Sequence, residues 1–192
     1  MRIDPARDAL IVVDVQRDFC PGGALAVREG DEIVPLINQV IPRFEHLFFT
    51  RDWHPADHCS FSPKPQFVDK SWPAHCVQGT TGAEFHPLLL LPENAVIISK
   101  GVTSDKEAYS GFDNTPLAEL LKKRHIQRLF ICGLATDYCV KATALDGLKN
   151  GFTVVLFADA CRGVDIPPGT VEETWRELRD AGALSCSTGD LA

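Results

Sequence analysis

RLFICGLATDYCVKATALDGLKNGFTVVLFADAC, residues 128–161, reads as strand, helix, strand. RLFICGL and FTVVLFADAC are apolar runs without polar alternation, the pattern of strands covered on both faces. TDYCVKATALDGLKNG lies between them with helical periodicity and closes on Asn-Gly. Two such strands joined by one helix form a βαβ unit, and that unit requires a parallel sheet.

The same alternation extends in both directions along the chain. DALIVVDVQ predicts the first strand, EIVPLINQVIPRF a helix, HLFFTRDW a second strand and AVIISKG a third. TPLAELLKKRH is a helix leading into residue 128, PPGTVEETWRELRDAG is a helix stopped by Gly182, and ALSCST is a short last strand. The expected fold is α/β: three αβα layers around a doubly wound, mostly parallel sheet of about six strands. At 192 residues one domain, 1–192, can enclose one core. The long stretch over 52–94, rich in Pro, His and aromatics, is reserved for function.

Composition narrows the function. A formal net charge of -7, with Lys and Arg scattered, lacks the basic stripe of a nucleic-acid or anionic-membrane binder. No apolar run is long enough to span a bilayer and the first residues do not read as an export signal, so the expected location is cytoplasmic. Seven cysteines without a CxxC pair read as reduced thiols. The expected partner is a small molecule, and a homo-oligomer is left open.

A doubly wound sheet binds its ligands beyond the carboxyl ends of its strands. Strand one ends in VVDVQRDF, strand three in IISKG and strand four in ICGLATDYC, which brings Asp14, Lys100 and Cys139 to one edge. A carboxylate to take a thiol proton, an ammonium to stabilise negative charge and a thiol to attack form a nucleophilic set. Thr136 or Asp137 can cap the following helix, leaving Cys139 in its first turn, where free N–H groups favour a thiolate. The competing reading makes Asp14 and Lys100 a structural ion pair and Cys139 a packing residue.

In DWHPADHCSF, Asp52 and His54 are two apart and share a side of an extended segment, as two ligands of one ion would. His75 is a candidate third ligand and His58 a candidate fourth or a supporting group, making a set suited to Zn²⁺ or Fe²⁺. His46, His86 and His125 read as solvated. No G-x-G-x-x-G follows strand one and no G-x-x-x-x-G-K-[ST] occurs, which argues against a nucleotide-binding module.

The segments VVDVQRDFCPGGAL, DWHPADHCSF, WPAHCVQGTTGAEF, KGVTSDKEAYSGF and GLATDYCVKATALDG together resemble the nicotinamidases (pyrazinamidases) of the isochorismatase-like cysteine hydrolases. The resemblance implies a triad of Asp14, Lys100 and Cys139, and one divalent ion, zinc first and iron or manganese next, on Asp52, His54 and His75. It implies a cis Leu134–Ala135 peptide, with the N–H groups of Ala135 and Cys139 as an oxyanion hole. Phe19 and Trp72 are implied as walls for a pyridine ring, with Tyr109, Tyr138 and Leu25 nearby. The implied activity is hydrolysis of nicotinamide to nicotinate and ammonia, extending to pyrazinamide, in NAD salvage. The rival enzyme is a metal-free isochorismatase or carbamoyl-type amidase, which has no use for the DWHPADH ligands.

Overall fold

A computed structural model describes residues 1–191. Among them, six strands form one sheet: β1 (Asp8–Val13), β2 (His46–Asp52), β3 (Val96–Lys100), β4 (Arg128–Leu134), β5 (Thr153–Arg162) and β6 (Leu184–Cys186). The order is β3-β2-β1-β4-β5-β6, and every pairing is parallel. Every residue of β1 is buried, as is all of β4 after Arg128, because helices cover both faces of a parallel sheet.

The α-helices are α1 (Ile33–Val40), α2 (Leu117–Lys123), α3 (Lys141–Lys149) and α4 (Thr170–Asp180). α1 buries Ile33, Val34, Ile37 and Val40, a stripe at helical spacing. α4 ends as its sequence demands. Gly182 takes φ 98 and donates to the Arg179 carbonyl, a left-handed position that glycine occupies without a Cβ penalty.

The chain winds β1, β2, β3 toward one edge, then returns to lay β4 against β1 and winds β5 and β6 toward the other. The switch between β1 and β4 opens a crevice beyond the strands' carboxyl ends. The registers Val13↔Gly133, Val13↔Thr50 and Asp52↔Lys100 put the ends of β1 to β4 level around that crevice. Residues 53–94 fold over it with little regular structure: a 3-10 turn at Thr81–Ala83 and the isolated bridges His54↔Val77, Phe61↔Trp72 and Gln16↔Phe85.

Candidate active site

Asp14 is the first residue past β1. Its φ of 50 lies in the left-handed region, and its N–H donates to the Thr50 carbonyl at 3.2 Å. Thr50 Oγ1 donates to Asp14 Oδ1 at 2.6 Å, and Lys100 Nζ stands 2.9 Å from Oδ2. The Lys100 ammonium also donates to Asp52 Oδ1 at 2.5 Å, to the Ala108 carbonyl at 3.2 Å and to Cys139 Sγ at 3.4 Å. One buried cation thus touches two carboxylates and a thiol from four strand ends. Burial works against the ammonium, yet Asp14 and Asp52 outweigh it and hold Lys100 charged well above the ordinary lysine range. For Asp14 the balance tips the other way: burial raises its carboxyl above the usual value against the pull of Lys100. A carboxylate raised in this way is a better proton acceptor than a free one.

The turn that carries Cys139 differs from the sequence expectation. Thr136–Val140 is a π-helical turn, entered through a cis Leu134–Ala135 peptide, and no side chain caps it. Thr136 is buried with its hydroxyl unpaired. Asp137 reaches away from the turn, accepting the N–H groups of Val164 and Asp165 and the Thr170 hydroxyl. Cys139 is 6% exposed, and burial, with Asp14 and Asp52 adding to it against Lys100, pushes its thiol well above the ordinary value. That direction opposes the thiolate a first-turn position favours, and it gives a base beside the sulfur a part in any attack.

The histidine cluster adjoins this corner through Asp52. His54 Nδ1 lies 2.9 Å from the Gly101 carbonyl and His75 Nδ1 2.8 Å from the Pro73 carbonyl, so each donates from Nδ1 and turns Nε2 inward. The Nε2 atoms stand 3.5 Å and 3.9 Å from Asp52 Oδ2. With both rings neutral, this arrangement would aim two lone pairs at a carboxylate, and three electron donors facing one another suit a cation. One donor atom each from Asp52, His54 and His75 lies within 4.8 Å of the others, all buried, a donor set that fits a divalent metal ion with positions to spare. Gly101 is required beneath it: at φ 61, a Cβ there would come within 2.3 Å of the His54 ring.

His58 is not brought into the set. Its Nε2 donates to the Lys106 carbonyl at 3.0 Å and its Nδ1 takes the Ser60 hydroxyl at 2.8 Å, so both nitrogens are engaged elsewhere. It packs against the His54 ring with centroids 4.1 Å apart, a supporting position.

Between the thiol and His75 lies a small cavity of about 40 Å³. Phe19, Leu25, Trp72, Tyr109 and Tyr138 all line it, with Ala135, Cys139, Asp52 and His75. Trp72 meets Tyr138 edge-on at 5.0 Å, and its indole N–H donates to the Tyr109 hydroxyl at 3.0 Å. The sequence reading missed four contributors. Val27 and Val164 line the cavity, and Thr50 holds Asp14. Gln16 clamps the Asp52 peptide, accepting its N–H and donating to its carbonyl, both at 2.8 Å. Gln16 had a signal: a polar residue two positions past Asp14 at the same strand end.

A thiol, a carboxylate and an ammonium buried at the switch point of a doubly wound sheet, opening on an aromatic cavity, are the equipment of an enzyme, not of a passive binding module. The isochorismatase domain model matches residues 8–190, and the chain belongs to that family. It is 40% identical to the nicotinamidase of Acinetobacter baylyi, covering 95% of this chain and 94% of that protein. Among solved structures it resembles the pyrazinamidase of Pyrococcus horikoshii in complex with zinc: 50% identity, TM-score 0.85, 94% of this chain and 99% of that one. A protein of L. infantum in complex with nicotinate is 40% identical, with TM-score 0.90 over 100% of this chain and 98% of that one.

Proposed function

We propose that this chain is a nicotinamidase, hydrolysing nicotinamide to nicotinate and ammonia and accepting pyrazinamide, with Cys139 as nucleophile. The observation that carries the reading is the single cavity in which Cys139 and the Asp52–His75 pair face each other across aromatic walls. The named relatives support the substrate.

In this reading Asp14, raised by burial and 2.9 Å from Lys100, takes the Cys139 proton as sulfur attacks the carboxamide carbon. The carbonyl electron pair moves to oxygen, and the N–H groups of Ala135 and Cys139 receive the charge. Asp14 returns its proton to the nitrogen as the C–N bond breaks, and ammonia leaves. Water then adds to the thioester as Asp14 accepts one of its protons; the C–S bond breaks, Asp14 returns that proton to sulfur, and the released acid ionises to the carboxylate. Lys100 stays charged throughout, holding the Asp14 carboxylate beside sulfur. Asp52, His54 and His75 would hold a divalent ion, zinc by preference with iron or manganese as substitutes. When bound there, such an ion would supply Lewis acidity to the polar side of the cavity. The reaction would serve pyridine nucleotide salvage.

Ammonia release from nicotinamide and pyrazinamide, with metal analysis on the same sample, tests this reading. The expected result is ammonia and carboxylate in equal amounts and about one divalent ion per chain. Ammonia from neither amide would overturn the substrate assignment, and full activity in metal-free protein would overturn the metal site.

A further inference from the structure

The β5–α4 connection, residues 163–169, has no role in the chemistry above, yet it supplies Val164 to the cavity wall. It is also bound to the nucleophile's own turn. Asp137, two residues before Cys139, accepts the Val164 N–H at 2.9 Å and the Asp165 N–H at 2.8 Å on different carboxylate oxygens, and the Thr170 hydroxyl at 3.1 Å. Asp165 repeats the pattern one step on, its Oδ1 accepting the Gly169 and Val171 N–H groups at 2.9 and 3.1 Å. Gly163 permits the close approach: a Cβ there would lie 2.3 Å from Val171 Cγ2 and 2.9 Å from Asp137 Oδ1. The loop is a built wall, indexed to the π-helical turn by one side chain.

The cavity divides by chemistry. Asp52 and His75 form a polar side, Cys139 and Ala135 the reacting side, and Phe19, Trp72, Tyr109 and Tyr138 the aromatic surfaces. Leu25, Val27 and Val164 are aliphatic. A planar heteroaromatic carboxamide presents two faces, a nitrogen, a carboxamide and a C–H edge, and an aliphatic side chain in the lining suits that edge.

We infer that Val164 is a specificity-determining residue that restricts the enzyme to carboxamides with an unsubstituted C–H ring edge, and that Asp137 is the positioning residue that fixes Val164 relative to Cys139. The inference rests on the proposed amidase reading for its substrate class. A hydrophobic pocket discriminates one methyl group by about tenfold or more, so the wall has a readable effect.

The test compares kcat/KM for nicotinamide with that for nicotinamides methylated at ring carbon 5 or 6, and Kd for nicotinate with that for the matching methylated nicotinates by calorimetry. Val164→Ala should narrow the preference for the unsubstituted ring by about tenfold in both readouts. Asp137→Ala leaves the valine in place but frees it. It should narrow the preference in the same direction and raise KM for nicotinamide more than it lowers kcat, while Asp137→Asn, which keeps an acceptor oxygen, should recover most of the selectivity. Wild-type selectivity in Val164→Ala overturns the wall. A lower melting temperature with unchanged selectivity in Asp137→Ala overturns the positioning role. Should the wild type release no ammonia, the amidase reading falls alone, and the nicotinate Kd ratios still decide on the wall.

Discussion

The middle of the sheet and its carboxyl edge are built on opposite terms from the same strands. In the middle, β1, β4 and β5 pack Leu10, Ile11, Phe130 and Phe157 at 0% exposure, and each such side chain contributes roughly 1.5–3 kcal/mol by leaving water. At the edge, a few residues further on, Asp14, Asp52, His54, His75 and Lys100 are buried at 0 to 4% exposure. Burying charge costs several kcal/mol per ion before pairing recovers part of it. The edge therefore costs stability that the middle supplies, and what it gains is a carboxylate, an ammonium and a thiol held in contact. The two cysteines of β4 and the turn after it show the division: Cys132 lies in the apolar strand, while Cys139 stands against Lys100.

The sharpest way to break that division is Cys139→Ala, which should lower amidase activity by at least about a thousandfold with the melting temperature within a few degrees of wild type. Unfolding of the variant would make Cys139 part of the middle instead. Removing the metal should come next. Dialysis against a strong chelator, or His54→Ala, should lower activity by about a hundredfold while the sheet's circular dichroism persists, since the proposed ligands Asp52, His54 and His75 sit at a strand end and in the overlying loop. Activity unchanged after verified metal loss would sink the site.

His58→Ala sharpens the comparison from within the loop. Loss of its bonds to Ser60 and Lys106 should cost about 1–2 kcal/mol of stability, with metal content unchanged. A variant that binds no metal would return His58 to the ligand set.

What could be read from the sequence follows the same division. The strands announce themselves as apolar runs, and Asp14, Lys100 and Cys139 as chemical types at strand ends, because both signals are local. The family resemblance implied the cis Leu134–Ala135 peptide, and the bond is cis. The π-helical form of the turn was not legible, since a capping residue before a helical pattern reads the same for either helix. Asp137 looked like that cap, but its partners at 164, 165 and 170 lie 27 or more positions away. Whether His58 was a fourth ligand or a supporting group stayed open in the sequence for the same reason: spacing in a loop does not reveal that a carbonyl from residue 106 holds its nitrogen.

The smallest effect expected is an alkaline one, and it belongs to the buried thiols outside the polar site. Burial holds the Cys161 thiol up at about 12 from an ordinary 9.0, and Cys132 well above its ordinary value likewise. A thiol raised in the folded state stabilises fully below the unfolded value and loses that contribution as pH climbs through the window between them. Unfolding free energy, from urea titrations at pH 8 to 10.5, should fall above pH 9 because the unfolded chain releases thiol protons that the folded chain keeps. Cys161→Ala and Cys132→Ala should each cost about 1 kcal/mol at pH 8 through lost packing. Each should also make the alkaline slope shallower by about one proton, because the group that ionises only on unfolding is gone. Tyrosines and lysines titrating in the same range act on wild type and variant alike, so the difference between the curves isolates the thiol. Parallel curves would mean that these cysteines ionise as readily inside the sheet as in the unfolded chain, and that their surroundings are wetter than the packing implies.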